Sequence, residues 1–147
     1  MHFEAENYFE AAQERLTDAQ LLYEEKRYAV SLYISGLAIE CLLRAFRFLK
    51  NRQFDARHDL IELLGVSELE MIVPIKYRRE IAEATGIIFI RWKNGVRFAS
   101  ANRLRRHFKK LKLDRGIRGD FLKENCRVVF QAAKTIILIG MQQWHAQ

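Results

Sequence analysis

Between Ala29 and Phe46 the chain reads AVSLYISGLAIECLLRAF, and Glu40 is its only charged residue before Arg44. A run this long, apolar on nearly every side, satisfies its backbone as a helix and must then be surrounded by other apolar faces. Ala29, Ser31, Ser35, Gly36 and Ala38 are small, so neighbouring helices can approach its axis closely. Glu40 is expensive to bury unpaired. Arg44 stands four residues on, at helix spacing, so the pair reads as a structural ion pair or as an acid that orients an arginine in a site between helices.

The rest of the chain supplies partners for that central helix. Tyr8, Phe9, Ala12, Leu16, Ala19, Leu22 and Tyr23 recur at spacings of three and four, which predicts a first amphipathic helix over about 4–26. A short turn at 26–28 joins it to the second helix, over about 28–51, as an antiparallel hairpin. Asp59 is placed to cap the run LIELLG, with Gly65 as its stop, and Ser67 with Glu70 matches a capping box. A further helix starts after Pro74 and carries Ile81, Ala84, Ile88 and Trp92 on one stripe until Asn94-Gly95 breaks it. Ser100 then caps a short basic helix, ANRLRRHFKKL. The last helix runs from about Asp120 to the end with two apolar residues per turn, wide enough for both a core and a partner. With one proline and seven glycines, an all-β fold of tight turns is disfavoured. The expectation is an all-α, up-and-down bundle of about four main helices with short inserted helices, forming one domain over residues 1–147.

Other classes find little support. The amphipathic, acidic start is not a secretory leader, and no run of about 18 apolar residues spans a membrane. Cys41 and Cys126 fall inside apolar helical patterns and read as reduced core residues, which points to a cytoplasmic protein. Histidines at 2, 58, 107 and 145 have no metal-ligand spacing. No Gly-rich phosphate loop and no GxSxG element occurs, so no metal or cofactor is called for.

Charge, by contrast, is strongly localised. Residues 91–118 hold eleven Lys or Arg against Asp114 alone, a net of +10, while the remainder has fourteen Lys or Arg against seventeen acids, a net of −3. Clustered cations sum to a local potential suited to a polyanion. The contact candidates are Arg91, Lys93, Arg97, Arg103, Arg106, Lys109 and Lys110. Trp92, Phe98 and Phe108 are interleaved with them. Trp92 and Phe98 read as core-packing rings; Phe108 fits either core or surface.

The stretch AAQERLTDAQLLYEEKRYAVSLYISGLAIECLLRAF, followed by RHDLIELL and then RWKNGVRF, resembles a HEPN domain (higher eukaryotes and prokaryotes nucleotide-binding). The carrying elements are Ala38-Ile39-Glu40, His58-Asp59-Leu60, Trp92 and Arg97-Phe98, with Glu40 and Trp92 as supporting residues. The resemblance implies a small helical domain that often dimerises. It also implies a prokaryotic defence or toxin–antitoxin setting, sometimes beside a minimal nucleotidyltransferase, and in many members a metal-independent ribonuclease activity. Catalytic members carry Arg, four to six residues, then His, late in the domain, for acid/base work on a 2′-hydroxyl with the arginine at the phosphate. The segment after Arg91 has no such histidine. Arg52 and His58 have the spacing but lie after the second helix. Arg103 and His107 are one residue short of it and share a helix face. Three readings stay open: a module binding nucleic acid or a nucleotide through the basic segment, a ribonuclease using Arg103–His107 or Arg52–His58, and a protein-interaction partner of a nucleotidyltransferase.

Overall fold

The computed structural model describes residues 1–50, 60, 63 and 73–146. Its helices are α1 (Ala5–Glu24), α2 (Tyr28–Lys50), α3 (Ile75–Arg91), a 3-10 turn (Asn94–Phe98), α4 (Ala101–Lys110) and α5 (Phe121–His145). No strand occurs among the described residues. The all-α, up-and-down bundle is therefore the fold, with α4 and the 3-10 turn as the short inserts. The elements expected around Asp59, Gly65 and Ser67 lie outside the described residues; Leu60 and Leu63, from the apolar run there, are fully buried.

Each boundary has a local cause. At the start of α1, the Glu4 N–H donates to Asn7 Oδ1 at 2.8 Å, one arm of a capping box. Its end is a Schellman turn: Lys26 takes a left-handed φ of 61°, Arg27 N–H donates to the Leu22 carbonyl, and Lys26 N–H donates to that of Tyr23. Three residues thus reverse the chain, and α1 and α2 pack antiparallel. Pro74 precedes α3, Ser100 Oγ accepts from Arg103 N–H at 3.1 Å to cap α4, and Asp120 Oδ1 accepts from Lys123 N–H at 3.1 Å to cap α5.

The helix α2 sits at the centre, against α1, α5, α4 and the 3-10 turn. Leu32, Ile39, Leu42 and Leu43 are fully buried along it, each stabilising the fold by roughly 1.5–3 kcal/mol. Its small residues act as expected: Ser31 Oγ donates to the Ala19 carbonyl at 2.7 Å, a bond possible only at close helix approach. By length and hydropathy α2 alone among the described helices could cross a membrane, and 56% of its most apolar window is buried by its neighbours here. The sequence reading of no apolar run long enough thus needs refinement: the apolar excess belongs to the bundle's middle helix. Most of the wide apolar face of α5 is likewise taken up by this chain's own core, with Val129, Ala133, Ile136, Ile137 and Gly140 all buried, and Leu138 left outside.

Candidate nucleic-acid interface

The basic segment is mounted on the bundle by a few buried groups. At the end of α3, Trp92 is fully buried, its ring stacked on Tyr33 and its Nε1–H directed at the Tyr33 carbonyl 3.4 Å away. The indole lies directly over Gly36, where a Cβ would fall 2.5 Å from its Cδ1 and closer to Nε1 and Cε2. Glycine is thus required at 36 by the approach of the ring, not by backbone conformation. Val96 buries the 3-10 turn, and Leu104 and Phe108, four residues apart, bury one stripe of α4.

Asn125 fastens both ends of the segment. Its Oδ1 accepts from Arg91 Nε at 2.9 Å, and its Nδ2 donates to the carbonyls of Leu113 at 3.0 Å and Phe121 at 2.8 Å. All its polar atoms are used, and the residue is buried. This fully satisfied amide is what a buried asparagine needs. Arg91, half-buried and also directed at the Ile87 carbonyl, has its pKa lowered by burial. It belongs to the mounting, although the charge pattern groups it with the contact candidates. Asn125 was not legible as a site residue, because its partners lie 34 and 12 residues away and no local spacing marks them.

Beyond that mounting, the cations face outward. Arg103, Arg106, Lys109 and Lys110 are exposed on α4, opposite Leu104 and Phe108. Lys112 continues them in a second Schellman turn at φ 61°. Among the described residues no ion pair involves any of the eleven cations, so none of them is neutralised by a carboxylate in direct contact there. Several are held by neutral groups: Arg97 by the carbonyl and side chain of Asn94, Lys93 by the Phe89 carbonyl at 3.1 Å, and Arg105 by Asn102 Oδ1 at 3.1 Å. Lys109 Nζ lies 6.0 Å from the Phe121 ring centre.

The 3-10 turn and α4 enclose a cleft of about 320 Å³. Buried Val96 and Leu104 form its floor with Ala99, and Lys93, Arg103, His107 and Phe98 form its walls. Arg103 and His107, one helical turn apart, therefore do meet at one opening. Burial, and then the charges of Arg103, Lys93 and Lys110, lower the His107 pKa, so the ring is neutral at pH 7. A neutral imidazole beside an arginine can accept a proton while the guanidinium holds a phosphate oxygen.

The interleaved rings divide differently from the expectation. Trp92 and Phe108 are core. Phe98 is 85% exposed, with the Arg97 guanidinium 5.7 Å from its ring centre. Core packing is thus corrected for Phe98: the 3-10 turn points Val96 inward, and a residue two positions on cannot share that direction. Glu40 and Arg44 form the expected ion pair, with both Arg44 Nε and Nη2 on Glu40 Oε1 at 3.1 and 2.9 Å. They belong to α2 and not to the cleft's lining. Arg52 and His58 lie outside the described residues. Cys41 and Cys126 are free thiols, each pushed up to about 11, first by burial. Among the described residues no three of His, Cys, Asp and Glu gather to hold a metal ion.

A family model described as HEPN domain matches residues 5–137. The chain belongs to the HEPN domain family. No curated protein and no solved structure matches it. The HEPN match runs from the first residue of α1 into the last turns of α5, so it takes in the whole basic segment and the cleft. HEPN domains are commonly nucleotide- or RNA-related.

Proposed function

We propose that this HEPN domain binds RNA through the exposed face of α4 and the cleft beside it. One observation carries the reading: Arg103, Arg106, Lys109 and Lys110 are presented outward on the anchored helix α4, without a single ion pair to quench them among the described residues. Phosphate oxygens would take the place of those missing acids, and released counterions would drive association. Arg103, Arg106, Lys109 and Lys110 are the phosphate contacts, with Lys93 and Arg97 at the cleft. Arg91 holds the platform.

Fluorescence anisotropy of a labelled single-stranded RNA across a salt series tests this. Binding should weaken steeply with salt, and Arg103→Ala or Arg106→Ala should each reduce the log–log slope by about one. Arg91→Ala should leave the slope unchanged. Absence of binding at low salt would refute the reading.

A second reading, metal-independent cleavage of the bound RNA, is favoured by the neutral His107 beside Arg103. In it the neutral His107 imidazole takes the 2′-hydroxyl proton, the 2′-oxygen bonds to phosphorus as the P–O5′ bond breaks, a 2′,3′-cyclic phosphate forms, and the departing 5′-oxygen takes a proton from water. Running the bound RNA on a gel in EDTA, for the wild type and His107→Ala, decides it: cleavage that survives His107→Ala removes this residue as the base.

A further inference from the structure

Phe98 is the most exposed of the Phe, Tyr and Trp rings among the described residues, and it stands within the basic segment 91–118. Its carrier is not loose. Val96, two residues before, is buried; Ala99 N–H donates to the Val96 carbonyl at 3.0 Å; and Arg97 is tied to Asn94. An aromatic face is thus held out to solvent on an ordered turn, at the wall of a cleft whose charged lining is Lys93 and Arg103, with His107 beside them and no acid among its lining residues.

The ring and the cations ask for different things from one occupant. The ring offers a flat, apolar π-face, and the cations require negative charge. A second copy of this chain packed segment to segment meets the first need and fails the second, because each segment carries net +10. A nucleotide unit of RNA meets both, with its base against the ring and its phosphate on the cations. Only an unpaired base has a free face, since a duplex keeps its bases stacked within the helix.

We propose that the cleft is a subsite for one unpaired base of single-stranded RNA, stacked on Phe98, with Arg103 and Lys93 on the adjoining phosphate. The proposal rests on the RNA-binding reading and adds strand selectivity, which charge alone does not provide. Arg103 makes no side-chain bond among the described residues and keeps its guanidinium for the phosphate, while Lys93 has donors beyond the one on Phe89.

The test compares the whole chain and its Phe98 variants on three probes: a short single-stranded RNA, the duplex of the same sequence, and inorganic polyphosphate. Phe98→Ala should weaken single-strand binding by about fivefold or more. It should leave duplex and polyphosphate binding within about twofold, with the salt slope on the single strand unchanged. Phe98→Tyr should restore binding and Phe98→Leu should not, which separates stacking from general apolarity. Exposure of Phe98 makes these variants safe for folding, and a thermal melt checks that. Equal loss on all three probes, or no loss on any, overturns the stacking role while leaving RNA binding standing. Failure of the wild type to bind any probe overturns RNA binding and this subsite together. Conversion of a wild-type dimer to a monomer by Phe98→Ala in sedimentation would assign the ring to a self-interface and also overturn the proposal.

Discussion

Replacing Asn125 with alanine removes three hydrogen bonds at once, and their costs differ. The Leu113 carbonyl accepts only from Asn125 Nδ2 among the bonds of the described residues, so stranding it costs about 1–3 kcal/mol. The Phe121 carbonyl stays within the α5 ladder and loses little. Arg91 loses its bond to Oδ1, but its half-exposed guanidinium can turn to water, so this part is discounted to about 1 kcal/mol. The total is about 2–4 kcal/mol, a fall of roughly 5–15 °C in Tm for a chain of this size. Urea unfolding measures it, and hydrogen exchange locates it, with faster exchange expected around Leu113 and Trp92 before the core of α2 responds. A double-mutant cycle with Arg91→Ala should show the pair to be less than additive, since either change breaks the same bond. Stability within about 0.5 kcal/mol of wild type, or strict additivity, would refute the assignment of Asn125 as the fastening of the basic segment.

Other perturbations probe independent parts. Gly36→Ala forces the Trp92 indole to move and should cost about 1–3 kcal/mol by denaturation, despite alanine's better helix propensity; Gly140→Ala meets the Leu42 side chain, nearest at its Cδ2 methyl 2.6 Å away, which a rotamer change can shift, and should cost less. Lys26→Gly relieves a left-handed lysine and should raise stability by about 0.5–1 kcal/mol by the same assay. His107 should titrate by NMR below a free histidine; because protonation then favours the unfolded chain, stability should fall as pH drops from the unfolded value through the folded one, and His107→Gln should flatten that fall. Cys41 and Cys126, with thiols near 11, should react with iodoacetamide at pH 8 on the order of a hundredfold slower in the folded protein than after denaturation; fast labelling of the native chain would contradict their burial.

Helices, caps and the near ion pair were legible because their causes are local. Ser100, Asp120 and Pro74 act on residues within one turn, Glu40 and Arg44 are four apart on one helix, and the small residues of α2 announce close packing by their size alone. The concentration of charge in residues 91–118 is likewise a property of the sequence, and it points to a polyanion before any coordinate is known. Which of those residues are free to meet one is a different matter. Arg91 and Arg103 are the same residue type in the same basic stretch, yet one is held by Asn125 and the other opens onto a cleft. Trp92 and Phe98 are two rings six residues apart, yet one fills the space over Gly36 and the other stands in solvent. Those assignments depend on α2 and α5 arriving from 56 and 34 residues away in the chain, and side-chain spacing along one helix carries no information about which distant backbone will cover it. The sequence by itself determined the helices, their order and the charge of the face; burial, a property of the packed bundle, decided which of its residues hold that face and which can use it.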